Sequence, residues 1–149
     1  MLINASRLVL VPLLAALSAA LPAAAQNDGT PEAVRVRAVA HFGPDSVRMD
    51  PRDRDALLAE VAKLGDVTWK TVTATGHTDS AGSDAYNERL GRQRADSVRR
   101  YLVGKGLSPQ MIRTASASES APVADNATAA GRALNRRAEV EFEGVRMMK

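Results

Sequence analysis

At 149 residues, 45% of them hydrophobic and 25% charged, the chain holds enough apolar material for one domain of ordinary size with its own core. It has no cysteine, which excludes disulfides, thiolate chemistry, cysteine-ligated zinc and lipid attachment to an N-terminal cysteine. A formal charge of only +3, with one tryptophan, two tyrosines and two phenylalanines, excludes a dedicated nucleic-acid binder, since neither a strong basic footprint nor a base-stacking platform is available.

Residues 1–25 differ in kind from the rest. Arg7 is their only charge, the run 8–21 is almost wholly apolar, and Ala23, Ala24 and Ala25 supply small residues before Gln26. That layout predicts a secretory signal peptide cleaved after Ala25. The alternative, a retained membrane anchor, fits less well because Pro12 and Pro22 interrupt a segment barely long enough to span a bilayer. Removing residues 1–25 takes the formal charge from +3 to +2. Residues 26–33, polar and containing Gly29 and Pro31, read as a linker.

From residue 34 the pattern becomes structural. Val34, Val36, Ala38, Ala40 and Phe42 alternate with Arg35, Arg37, Val39 and His41, predicting a half-buried strand. A loop follows, then a helix with Asp50 as N-cap, Pro51 at its first position and Asp53 in its first turn. That helix is expected to bury Leu57, Leu58, Val61 and Leu64 and to stop at Gly65. Residues 67–75, rich in Thr and Val around Trp69, predict a second strand running into Gly76. A long helix over residues 84–105, capped by Ser83, comes next. Residues 112–117 predict a third strand, and a loop with a short helix leads to a last strand in which Ala138, Val140 and Phe142 alternate with Glu139, Glu141 and Glu143. Residues 145–149 are left as a tail. The order of elements implies an α/β sandwich, helices packed on a small sheet.

One charge stands in an apolar stripe. At helical spacing Leu90, Val98, Tyr101 and Leu102 share a face with Asn87 among them, and Arg94 lies in its middle. Arg89, Arg92, Arg99 and Arg100 point elsewhere and read as solvated charges. An unpaired charge held against apolar surface costs several kcal/mol, so Arg94 needs an anionic partner. Asp79, in the turn between the second strand and this helix, is the candidate in sequence. Two readings stay open at this level: a structural Asp79–Arg94 salt bridge, or a pair flanking a pocket for a ligand that carries both charges.

His77, Asp79 and Ser80 contain the residue types of a hydrolase triad but crowd into one turn without a nucleophile elbow, so catalysis is not expected. His77 reads as a turn residue whose ring packs or hydrogen-bonds locally. A metal site is not expected either, as His41 is the only other histidine. The Asn126-Ala127-Thr128 sequon reads as a loop and helix cap, and Trp69 as a core or sheet-covering side chain.

The stretches "GHTDSAGSDAYNERLGRQRADSVRRYLVGKGLSPQMI" and "NATAAGRALNRRAEVEF", preceded by "HFGPDSVRMDP", resemble the OmpA-like peptidoglycan-binding domain, also found in peptidoglycan-associated lipoproteins and flagellar stator proteins. The resemblance runs from about Val34 to Glu143, and residues 34–144 are taken as the domain. It implies a strand-helix-strand-helix-strand-(short helix)-strand fold with a small mixed four-stranded sheet, no enzymatic activity, no cofactor, and noncovalent binding of peptidoglycan through the diaminopimelate of the stem peptide. Diaminopimelate carries a carboxylate and an ammonium on one centre. Motif by motif, the resemblance implies that Asp79 and Arg94 hold it, supported by Asn87 of "YNERL", an arginine of "NRR", Asp45 of the first loop and Thr78. Strand parity sends Arg136 and Arg137 to opposite faces, so one of them reaches the site, and Arg137 is favoured.

The resemblance also implies a periplasmic location in a Gram-negative envelope, with a possible outer-membrane or other envelope protein as a second partner. The expected chain is the binding module made almost alone, which ties the outer membrane or an envelope complex to the wall through that partner. The alternative is an envelope adaptor that keeps the fold without wall binding. Three departures from the family pattern are visible: Ser116 and Ser118 stand where glycines are common, and Gly91 replaces the more usual serine. A helical glycine at 91 is expected to cost up to about 1 kcal/mol relative to alanine.

Overall fold

The computed structural model describes residues 29–148, so the segment read as a signal peptide and its cleavage point lie outside the described residues. Alternation of apolar and polar residues gives four strands: β1 (Pro31–His41), β2 (Thr68–His77), β3 (Ile112–Ser118) and β4 (Arg137–Met147). They form one sheet in the order β1-β4-β2-β3. The β1–β4 and β4–β2 pairs are antiparallel and β2–β3 is parallel. The helices are α1 (Pro51–Ala56), α2 (Ala59–Ala62), α3 (Asp84–Gly104) and α4 (Ala129–Asn135), with a 3-10 turn at Pro109–Met111. The fold is therefore the expected α/β sandwich on a mixed four-stranded sheet.

Strand parity assigns the two faces. Ala138, Val140 and Phe142 are buried and join Ala40, Val72 and Ala74 in one core with Leu57, Ala95, Val98 and Leu102 from the helices. Glu141 and Glu143 take the other face, where they pair across strands with Arg37 (2.7 Å) and Arg35 (2.9 Å). Trp69 packs edge-on against Phe142, ring centroids 5.9 Å apart.

The close seat of α3 on β2 depends on two glycines. A Cβ on Gly76 would overlap the carbonyl oxygen of Gly91, and one on Gly91 would run into Ser116 Oγ and come within 2.9 Å of the Gly76 carbonyl oxygen. Gly91 is thus a packing residue, not merely a weak point in a helix.

Two boundaries differ from the sequence reading. β1 begins at Pro31 and β4 runs to Met147, so parts of the expected linker (26–33) and tail (145–149) belong to the sheet. Their register is continuous, with Pro31 opposite Met147 and Glu32 opposite Arg146, and the Arg146–Glu32 ion pair at 2.7 Å lies across it. The single helix expected after Asp50 is two short ones. Its predicted start holds, as the Asp50 side chain accepts from Arg52 N and Pro51 opens α1. At the junction Leu57 enters the core, and Leu58 (φ −99°, ψ −6°) departs from helical values, so the apolar spacing does not continue on one face. Leu58 and Val61 pack only partly against the core, and Leu64 falls beyond α2.

Candidate functional site

The parallel strands β2 and β3 end side by side, Thr78 N donating to Ser118 O at 2.9 Å. The turn that follows β2 delivers Asp79 to the start of α3, where the Ser83 side chain accepts from Tyr86 N. The crevice beyond the carboxyl ends of strands is a recurrent place for ligands in open α/β sheets. Here it is closed by the loop after β1, which follows the buried Phe42, and by the junction of α4 with β4.

Arg94 is fully buried, 0% exposed. Its direct partners are not carboxylates. Nε donates to Ser46 O (3.0 Å), Nη1 to His77 O (2.9 Å) and Nη2 to Gly43 O (3.2 Å), and the guanidinium lies 5.3 Å from the Phe42 ring centroid. The charge in the apolar stripe is therefore satisfied by loop and strand carbonyls, and it pins the 43–46 loop to α3. Burial pushes its pKa down to about 10; nearby Asp79 opposes the shift, Arg136 adds to it and Asp45 opposes it. Arg94 stays a cation at neutral pH.

Asp79 pairs instead with Arg136. Its Oδ2 accepts from Arg136 Nη1 at 3.2 Å and its Oδ1 from Ala81 N at 3.0 Å. Arg136 also donates through Nε to Phe42 O at 3.0 Å. The side chains of Arg136 and Asp79 are 13% and 14% exposed, a largely buried ion pair on the wall of a cavity of about 200 Å³. That cavity is lined by Pro44, Asp45, Asp79, Ala81, Gly82, Tyr86, Leu90, Arg94 and Arg136.

The favoured arginine of the "NRR" motif is thereby corrected. Arg137 does not reach the cavity: it is buried on the other side of β4, bonded to Glu139 Oε1 (2.9 Å), Ala121 O (3.0 Å) and Asn135 O (3.4 Å). Parity explains the exchange. Arg136 shares its phase with Ala138, Val140 and Phe142, which face the helices, whereas Arg137 shares its phase with the glutamates. The sequence held that signal, because the core-facing set was already recognisable.

The other expected residues divide. Asp45 lines the cavity, in the left-handed region at φ 52°. Thr78 and Asn87 are buried but lie outside the cavity wall, on the β3 side: Thr78 N bonds Ser118 O, and Asn87 Nδ2 lies 3.5 Å from Glu119 Oε2. Thr78 Oγ1, Asn87 Oδ1 and both ring nitrogens of His77 have no hydrogen-bond partner. Among the described residues, all the buried side-chain polar atoms without a partner thus fall between His77 and Asn87, where β2 gives way to α3. Pro44, Ala81, Gly82, Tyr86 and Leu90 complete the wall; the sequence reading placed only Leu90 on the Arg94 face, and as an apolar residue rather than a site residue. Tyr86 and Leu90, four residues apart on α3, could have been found from helical spacing.

His77 also differs from expectation. It is the last residue of β2, not part of the turn, and its ring faces Glu139, Nε2 to Oε2 3.7 Å, rather than Asp79 or Ser80. Burial first, then Arg137, lowers its pKa, while Glu139 opposes them. No group of three or more metal-ligating side chains occurs among the described residues.

A larger cavity of about 840 Å³ lies beyond the 43–46 loop. Its acids are already committed: Asp53 Oδ2 accepts from His41 N (2.8 Å) and faces His41 Nδ1 (2.7 Å), and Asp50 caps α1. The larger cavity also carries Arg48 and Arg52 beside these acids; the smaller one brings Arg94 and Arg136 together with Asp45 and Asp79.

Residues 41–136 match the sequence model of the OmpA family. Outer membrane protein A of Bordetella avium is 41% identical over 105 residues, covering 70% of this chain and 54% of that protein. The peptidoglycan-binding protein ArfA of Mycobacterium tuberculosis is 39% identical over 99 residues, covering 66% of this chain and 30% of that one. The chain thus spans about half the length of the first relative and less than a third of the second. The crystal structure of the peptidoglycan-associated lipoprotein from Burkholderia pseudomallei superposes with a TM-score of 0.62 at 28% identity, covering 70% of this chain and 89% of that chain.

Proposed function

The chain belongs to the OmpA family, and from that premise we propose that it is a non-enzymatic periplasmic module that binds peptidoglycan noncovalently through the diaminopimelate of the stem peptide. The observation that carries this reading is the charge arrangement of the small cavity, with Asp79 and Asp45 facing Arg136 and Arg94 around about 200 Å³. A zwitterionic amino-acid end has the complementary pair of charges. Its ammonium donates to Asp79, with Asp45 as the second acid. Its carboxylate accepts from Arg136 and from Arg94, whose guanidinium has five N–H groups, three of them engaged by carbonyls.

Such a ligand takes over from the Asp79–Arg136 pair, so neither charge is left bare on binding. Peptidoglycan appears in the names of both the 39% identical mycobacterial relative and the 28% identical protein of known structure. On this reading the module tethers the outer membrane, or a complex in it, to the cell wall of a Gram-negative bacterium, and multivalency makes up for modest single-site affinity.

Co-sedimentation with purified sacculi tests the proposal. Wild type is expected in the pellet, and Asp79→Ala and Arg94→Ala variants shown to be folded are expected in the supernatant. Undiminished binding by both variants would sink the site, and absence of wild-type binding would favour an adaptor that engages envelope proteins alone.

A further inference from the structure

The wall of the small cavity is shared. Asp45, Tyr86 and Leu90 also line an adjoining cavity of about 360 Å³, whose other lining residues are Val47, Arg89 and Gln93. Tyr86, Arg89 and Gln93 are spaced i, i+3, i+7 along α3 and so form one stripe. Sequence reasoning set Arg89 aside as a solvated charge, but its surroundings differ from those of its neighbours. Arg92 is paired with Glu88 at 3.0 Å. The residues three and four positions from Arg89 are Ala85, Tyr86, Arg92 and Gln93, none of them acidic, and Arg89 makes no side-chain hydrogen bond or ion pair among the described residues. An uncommitted guanidinium therefore stands one cavity away from the proposed zwitterion clamp.

We propose that Arg89, oriented beside Gln93, is a specificity residue for a second carboxylate of the same ligand: the free α-carboxylate of the side-chain-linked glutamate that precedes the diamino acid in a stem peptide. The inference rests on the peptidoglycan reading above. It assigns to Arg89 the distinction between stems that keep this carboxylate and stems in which it is amidated to isoglutamine. A guanidinium fork matches two carboxylate oxygens. A carboxamide offers one acceptor and turns N–H donors toward a group that can only donate.

The test is calorimetric titration of the full chain, at low ionic strength, with two synthetic tripeptides: alanyl-γ-glutamyl-diaminopimelate and its isoglutamine counterpart. Wild type is expected to bind the glutamate form about fivefold more tightly, the scale of an exposed ion pair, and added salt is expected to shrink the difference. Arg89→Gln is expected to bind both peptides equally, at the wild-type affinity for the isoglutamine form, because the small cavity is untouched. Arg89→Glu is expected to invert the preference. Equal binding by wild type, or a preference that survives Arg89→Gln, overturns the assignment while leaving the zwitterion clamp standing. Binding of neither peptide by wild type overturns both.

Discussion

Gly91 and Ser116 form a complementary pair whose energetics are accessible to a double-mutant cycle. Gly91→Ser raises helix propensity by about 0.5 kcal/mol. The new Cβ, however, meets Ser116 Oγ and the Gly76 carbonyl oxygen, and overpacking of this kind costs about 1–3 kcal/mol. Ser116 Oγ accepts from Ser118 N at 3.2 Å, and turning it away forfeits roughly 1 kcal/mol more. The expected net loss is about 1.5–3.5 kcal/mol, a drop in Tm of roughly 5–15 °C. Ser116→Gly alone loses the same hydrogen bond and gains chain entropy in the unfolded state, about 1–2 kcal/mol. In the double variant the Oγ obstacle is gone and the bond is lost only once. The 2.9 Å approach to the Gly76 carbonyl oxygen remains and is offset in part by the gain in helix propensity, so the stability of the double variant is expected within about 1 kcal/mol of Ser116→Gly, with a coupling of at least about 1 kcal/mol. Urea unfolding of the four proteins measures it. Additivity within about 0.5 kcal/mol, or stabilisation by Gly91→Ser alone, would refute the packing argument.

Three further outcomes follow from the geometry. Ser118 sits at φ 51°, where a side chain costs about 1–2 kcal/mol, so Ser118→Gly is expected to raise the urea midpoint, the gain being trimmed to about 1 kcal/mol or less by glycine's freer unfolded state. For His77 the folded-state pKa lies below the ordinary value of 6.5 because of burial and Arg137, so the unfolded chain binds the proton more readily. Its contribution is present above that value and lost as pH falls through it toward the folded-state pKa, a slope in denaturation curves that His77→Gln should flatten. Finally, Arg136→Gln, which frees the Phe42 carbonyl and Asp79, is expected to weaken sacculus binding and lower Tm, whereas Arg137→Gln, which strands the Ala121 and Asn135 carbonyls, is expected to lower Tm and leave binding near wild type; loss of binding in Arg137→Gln but not in Arg136→Gln would return Arg137 to the site.

The sandwich was legible because each element carries its own period. Alternation in β1 and β4 and the capped, amphipathic α3 left little choice of architecture, and the burial of Arg94 followed from its place in the stripe. Its partners did not follow. Carbonyls of residues 43, 46 and 77 have no signature in side-chain identity, so a pairing argument restricted to charged residues pointed to Asp79. The exchange of Arg137 for Arg136 is of another kind: parity with the buried Ala138 is readable in the sequence and decides between the two arginines. Gly91 shows a third limit: a propensity scale prices a helical glycine by itself, and only the approach of Gly76 and Ser116 reveals what the missing side chain makes room for.

The central claim is that the cavity recognises a carboxylate and an ammonium together. Calorimetric titration with two stem tripeptides that differ only at the third residue, diaminopimelate in one and lysine in the other, isolates it, because lysine keeps the terminal ammonium and lacks the carboxylate beside it. Charge-assisted hydrogen bonds to Arg136 and Arg94, at about 1.5–3 kcal/mol each, predict binding of the diaminopimelate peptide at least about tenfold tighter, and loss of that binding in Asp79→Ala. Equal affinity for the two peptides would contradict the account.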